Sequence, residues 1–254
     1  MLLNDFDENK EAIIMPEMCA SRIDNFPEVT ISCFSEKLFN KVLATFNFKK
    51  IGDVHSAVGL NPIYEVEYKG KRFALFHSLV GAPLCVNQYE DLMAMGSKRI
   101  ILLGNCGVLD KSIDDCQIII PNRAYRDEGV SYHYLPDSES IDLSDKYKNI
   151  FIKILNKHNF NYIEGATWTT DAFYRETREK IEYFKSKGAI CVEMEGSVIA
   201  AVCKRKNLDY FTFYSAGDNL DSVEWERRSI SQETNFEKKK LVPLLAMELA
   251  ELID

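Results

Sequence analysis

Apolar positions along this chain follow two rhythms. Short runs rich in Val, Ile, Phe and Leu read as buried strands: VTISCF (29–34), RIILLG (99–104), CQIIIP (116–121), AICVEM (189–194) and DYFTFYSAG (209–217). IEGATWTT (163–170) reads as a further strand. IYEVEY and KRFALFHSLV, joined by Lys69-Gly70, read as a hairpin. Between these runs apolar residues recur at helical spacing. The expected helices are SEKLFNKVLATF with Ser35 as its cap, PLCVNQYEDLMAMG ending at Gly96, YKNIFIKILNKHNF, TREKIEYFKSKG, EGSVIAAVCKRK and FEKKKLVPLLAMELAELI. In the last of these, Pro243 either kinks the helix or marks its start.

Strands alternating with helices predict an α/β fold: a single domain with a central mixed, mostly parallel twisted sheet flanked by helices. Residues 1–25 read as an extended lead-in, and residues 26–254 as the domain. No repeat or Pro/Ser/Gly-rich linker interrupts it.

In such sheets ligands bind beyond the carboxyl ends of the strands. Four strand ends carry polar groups: Asn105-Cys106-Gly107, Asp171 to Arg175, Glu193-Met194-Glu195 and Asp218-Asn219. Any one of them could simply mark where a strand stops. Four together, with aromatics beside carboxylates, point to a pocket.

Composition narrows the classes. The formal net charge is −8 over 254 residues, which argues against nonspecific nucleic-acid or membrane-surface binding. Seven widely spaced cysteines without a CxxC read as reduced core residues of a cytoplasmic protein, and four histidines away from any cysteine pair give no metal site. No apolar run approaches the roughly 18 residues of a membrane span.

Four stretches carry a family resemblance: RDEGVSYHYLP (126–136), TWTTDAFYRETREK (167–180), VEMEGSVIAAV (192–202) and SAGDNLDSVEWERR (215–228). From about Gly81 to the C-terminus the chain resembles the purine nucleoside phosphorylase and uridine phosphorylase superfamily, most of all a bacterial nucleoside phosphorylase branch. The resemblance implies that Met194 lies under a ribose and that Glu195 accepts its 2′- and 3′-hydroxyls, with Glu193 beside them. It implies that Asp218 protonates the departing base, and aspartate there tilts the substrate towards purines. It places Phe173 against the base, with Tyr174 assisting, and it implies that the central sheet is partly barrel-like.

Each residue has a plainer reading too. Glu195 could cap its helix, Asp218 could close an Asx turn, and Phe173 could be ordinary packing. Arg178 lies near a base-reading arginine of the uridine enzymes, but the spacing differs.

The phosphate contacts depart from the family pattern. ISCFSEK stands where the family has a Gly-Asp-Pro-x-x-Arg-like loop. Leu102 replaces an arginine, and Asn105 replaces a hydroxyl residue. The amide of Asn105, a backbone nest over Asn105–Gly107, Arg126 and Arg175 are the remaining candidates for an anion. Arg126 could instead pair with Asp127 or Glu128, and His133 could either enter the site or pack among Tyr132 and Tyr134.

The implied reaction is cleavage of a ribonucleoside by phosphate, with phosphate as co-substrate and no cofactor, in a homodimer or a hexamer of dimers whose subunits share sites. Two rivals stand. One is hydrolysis of the same bond, with Glu193 activating water. The other is a nucleoside-binding protein on a retired scaffold.

Overall fold

A computed structural model describes residues 6–9, 11–57, 59–228 and 236–253. Part of the predicted lead-in, residues 1–5 and 10, lies outside the described residues.

Ten strands among the described residues form one mixed sheet: β1 (Val29–Cys33), β2 (Phe48–Ser56), β3 (Gly59–Tyr68), β4 (Lys71–His77), β5 (Arg99–Val108), β6 (Ile118–Asp127), β7 (Ser140–Asp142), β8 (Tyr162–Thr170), β9 (Ala189–Glu193) and β10 (Asp209–Asn219). Their order is β10-β6-β8-β9-β5-β1-β4-β3-β2, with β7 on β6. β10 also pairs in parallel with β5, so β10, β6, β8, β9 and β5 close a five-stranded ring. From β5 the sheet continues as an open wing through β1 and β4 to the β3–β2 hairpin. The expected α/β sheet with a barrel-like part is therefore present. Its parallel pairings are β4-β1-β5-β10 and β6-β8-β9, while the hairpins and the β5–β9 and β10–β6 seams are antiparallel.

Helices cover both faces. α2 (Glu36–Thr45), α4 (Lys148–Lys157) and α7 (Val242–Ile253) pack Leu38, Phe151 and Leu245 into one core cluster. α3 (Ala82–Met95) and α6 (Gly196–Lys206) pack Tyr89 and Val198 into the other. α5 (Arg178–Ser186) lays Ile181 and Phe184 over Trp168, whose ring stacks on Phe184 at 4.5 Å. The short α1 (Pro16–Cys19) precedes β1, and Ile23 N–H donates to the Met95 carbonyl at the end of α3. Ser35 caps α2 by accepting from Leu38 N–H, and α7 starts at Val242, so Pro243 marks a helix start where its missing N–H costs nothing. Among the described residues no helix is long and apolar enough to cross a membrane.

Two features differ from the sequence expectation. β2 has no apolar run: Lys49, Lys50 and Asp53 leave only Val54 buried, the pattern of a charged edge strand. β5 and β10 run past the points where their apolar runs stop, because each pairs with the other up to Ala216 opposite Cys106. Asn105–Gly107 therefore lies inside a strand rather than in a loop after it.

Candidate active site

The site is built where β5, β8, β9 and β10 meet. β9 ends at Glu193, and α6 begins three residues later. The first N–H groups of a helix need acceptors. Glu193 supplies them: its Oε2 accepts from Glu195 N–H at 2.7 Å and from Gly196 N–H at 2.5 Å. Its Oε1 accepts from the hydroxyls of Thr167 at 3.1 Å and Thr169 at 2.6 Å. Thr169 Oγ1 in turn accepts from Ser197 N–H, and Ser197 Oγ donates to Glu128 at 2.9 Å. Glu193 is thus a buried capping acceptor with its lone pairs engaged. No space is left at Gly196 either: a Cβ there would lie 2.7 Å from Glu193 Oε1 and 2.8 Å from the Tyr214 hydroxyl.

With that cap held by Glu193, Glu195 is not the side-chain cap of α6. Its Oε1 accepts from Gly81 N–H at 2.6 Å. Burial, reinforced by the charge of Glu193, raises its carboxyl to about 8. Burial also raises Glu193, against the pull of its four donors.

Glu195, Met194 and Glu193 line a cavity of about 270 Å³ together with Phe34, Ser35, Val80, Asn105, Gly107, Phe173, Glu176 and Asp218. The two acidic strand ends therefore open onto one hollow. A second, outer hollow of about 650 Å³ adjoins it. Phe173, Glu176 and Asp218 line both.

Asp218 is buried near the end of β10, where the ladder with β5 slips between Ala216 and Asn219. Its Oδ2 accepts from the Trp225 indole N–H at 2.7 Å, and burial raises its carboxyl. It is a hydrogen-bonded carboxyl in a cavity wall rather than the Asx turn its AGDN setting also suggested; Asn219 makes that turn, accepting from Asp221 N–H. Gly107 makes room for it. A Cβ at 107 would lie 2.3 Å from Leu220 Cδ1 and 3.2 Å from Asp218 Oδ1. Phe173 is 41 % exposed at the cavity rim, so it is not core packing, while Tyr174 is 94 % exposed and reaches only the outer hollow.

The expected anion contacts fare differently. Asn105 and Gly107 line the inner cavity, but their strand conformation points successive N–H groups to opposite sides, so no backbone nest forms. Arg126 does not line it. Its guanidinium is used to fold its own loop, donating to Ser131 Oγ at 2.8 Å, the Pro136 carbonyl at 2.7 Å and Ser138 Oγ at 2.8 Å, over the Tyr132 ring. The alternative ion pairs are not formed either: Asp127 pairs with Lys180, and Glu128 accepts from Val130 N–H, Ser131 N–H and Ser197. His133 is exposed, and neither it nor Arg175 lines either of the two hollows. Arg178 ties α5 to the loop after β10 by donating to the carbonyls of Leu220 and Ser222. Among the described residues, the wall of the inner cavity carries four carboxyls and no lysine, arginine or histidine.

Sequence reasoning missed Glu176, Trp225 and the Val80–Gly81 turn. A signal existed for the turn: Gly81 before Ala-Pro opens α3 with a φ of +99°, which favours glycine. None existed for Glu176, which is one charge among many in FYRETREK.

Comparison with known proteins agrees with this architecture. A purine nucleoside phosphorylase of the DeoD type from Mycoplasma genitalium is 25 % identical over 198 residues, covering 74 % of this chain and 79 % of that protein. A uridine phosphorylase from Vibrio fischeri superposes with a TM-score of 0.76 at 19 % identity, over 95 % of this chain and 98 % of that one. A futalosine hydrolase mutant from Helicobacter pylori does so with a TM-score of 0.71 at 17 % identity, over 89 % and 100 %. The family model of the phosphorylase superfamily matches residues 29–253, and the chain belongs to that superfamily.

Proposed function

We propose that this protein cleaves the N-glycosidic bond of a purine ribonucleoside and passes the ribosyl group to phosphate, giving free base and ribose 1-phosphate. The observation that carries the reading is the shared cavity: Glu195 and Met194 at one end, Phe173 and Asp218 at the other. In this reading Glu195 accepts the vicinal sugar hydroxyls and Met194 gives the sugar an apolar floor. Phe173 stacks on the base, where Tyr174 can extend the contact outward. Protonation of the leaving base falls to the carboxyls beside it, Asp218 first. Asn105 and Ser35 are the uncharged polar side chains left to meet the acceptor. The purine and phosphate assignments are supported by the name of the Mycoplasma relative. The reaction calls for no metal or organic cofactor. A cytoplasmic homodimer or hexamer of dimers, with cations supplied across the subunit boundary, suits it.

One observation favours water as the acceptor instead. Among the described residues, four carboxyls and no cation line the inner cavity, which leaves a phosphate dianion without a counter-charge where a neutral water needs none. Glu193, the water activator first considered, already accepts four hydrogen bonds, so a hydrolytic reading has to place the base elsewhere.

Incubation with inosine, adenosine, guanosine and uridine, with and without phosphate, decides. The phosphorylase reading expects base release that depends on phosphate and yields ribose 1-phosphate. Phosphate-independent release would establish hydrolysis. Nucleoside binding without any release would leave a binding protein.

A further inference from the structure

The two hollows differ in character. Carboxyls stand around the inner one, whereas Phe173, Tyr174, Ile181, Leu220 and Trp225 make most of the outer wall apolar. Phe173, Tyr174 and Trp225 are large rings left exposed there, and the first two meet edge to face at 5.1 Å. Exposed aromatic groups gathered at the mouth of a site mark a ligand surface. The Trp225 ring is also held in place. Its indole N–H donates to Asp218, and Asn219 and Glu226 exchange backbone hydrogen bonds on either side of the turn that carries it. Arg178 fixes the same turn through the carbonyls of Leu220 and Ser222. A surface already held costs little ordering when a ligand lands on it.

The outer hollow, at about 650 Å³, is more than twice the size of the inner one, at about 270 Å³. Glu195, Met194, Phe173 and Asp218, the groups assigned to ribose and base, all line the inner one. In a purine nucleoside N9 carries the sugar, so the imidazole nitrogen left to take a proton from Asp218 is N7. The group on C6 lies on the same edge of the purine as N7. Asp218 borders both hollows, so a chain attached at C6 passes Asp218 and enters the outer one. A bare amino or oxo group is too small to reach the Trp225 ring across it.

Resting on the reading that this chain cleaves a purine ribonucleoside, we propose that its substrates are adenosines whose exocyclic nitrogen bears a flat, apolar substituent, which lies in the outer hollow against Trp225, Tyr174 and Leu220. The chemistry at the glycosidic bond is unchanged: Asp218 still serves the departing base, and the substituent supplies binding and selectivity. The two arginines of the outer hollow do not make it an anion site. Arg178 is held by backbone carbonyls, Arg227 lies over the Trp225 ring, and the carboxyls of Glu176 and Asp218 share the same wall.

The test measures kcat/KM, with and without phosphate, for inosine, adenosine, N6-benzyladenosine and N6-(1,2-dicarboxyethyl)adenosine. The benzyl compound is expected to exceed each of the others by about tenfold or more. W225A is expected to slow both adenosine and its benzyl derivative, because Asp218 loses its donor. It also lowers the ratio of benzyl derivative to adenosine by about tenfold, because the ring is gone. W225F loses the same donor but keeps a ring, so it slows both compounds and retains most of the ratio. Y174A lowers the ratio by about threefold. Thermal midpoints of the variants check folding. The proposal is overturned if the wild type prefers inosine, adenosine or the dicarboxylate, or if W225A and Y174A leave the ratio unchanged. Those results leave glycosidic cleavage standing. A wild-type protein that cleaves none of the four, with or without phosphate, sinks both readings.

Discussion

Gly81 donates its backbone N–H to Glu195 Oε1 across 2.6 Å, joining residues 114 positions apart in sequence. Gly81 opens α3, and Glu195 precedes α6. One hydrogen bond thus fixes a carboxyl in the wall of the inner cavity to the start of a different helix. The bond needs Gly81 at its φ of +99°, so the turn and the carboxylate are specified together.

Glu195 makes stability depend on pH. Its carboxyl titrates near 8 in the folded chain against an ordinary 4.5. Between those values the folded state holds a proton that the unfolded state has released, so the folded state weakens as pH rises across the window. E195Q keeps the acceptor for Gly81 and removes the titration. Relative to wild type it is expected to gain stability between about pH 5 and about pH 8, by on the order of 2 kcal/mol. Urea midpoints at both pH values measure this; an unchanged difference would show that Glu195 titrates normally. The same variant is expected to weaken ribonucleosides more than free bases.

Glu193 is expected to matter chiefly for folding. Glu193→Ala strands two threonine hydroxyls and two helix N–H groups in a buried place. The expected loss is about 3–5 kcal/mol, read as a lower urea midpoint with an unchanged slope. A loss below about 1 kcal/mol would mean that water replaces the carboxylate.

Gly107→Ala drives a Cβ into Leu220 and crowds Asp218. It is expected to cost about 1–3 kcal/mol and to reduce turnover more than binding. Leu220 is a flexible end, so Leu220→Ala in the same chain should recover part of the stability. Strict additivity of the two changes would show that the contact is not the cause.

Phe173→Ala should raise KM for purine nucleosides by about tenfold, the equivalent of about 1.4 kcal/mol of stacking, with little change in thermal midpoint because the ring is already part-exposed. A large drop in midpoint with an unchanged KM would return Phe173 to a packing role.

Much of the fold was legible because it rests on local periodicity. The runs at 29–34, 99–104 and 209–217 have nearly all side chains hidden on both faces, as has the second half of 163–170, and the helices between them carry apolar stripes, so element type and order follow from composition within a few residues. β2 was not legible, because an edge strand bears charges that read as loop. At the site, Glu195, Phe173 and Asp218 stood out as polar or aromatic groups at the ends of apolar runs, and Met194 through its place in VEME; the structure gathers all four on one cavity.

The sequence by itself determined that an alternating α/β chain ends several strands in carboxyl, amide and aromatic groups, since hydrophobic burial and helix capping act over neighbouring residues. Tertiary structure alone decided which groups share the hollow. The β5–β10 pairing drew Asn105–Gly107 into a strand, the 131–138 loop took up the guanidinium of Arg126, and Trp225 was laid on Asp218 while Glu176 was left without a donor. The physical reason is that a buried polar atom takes whichever partner the packing brings within hydrogen-bond reach. Packing that joins residues dozens of positions apart leaves no periodic trace in the chain.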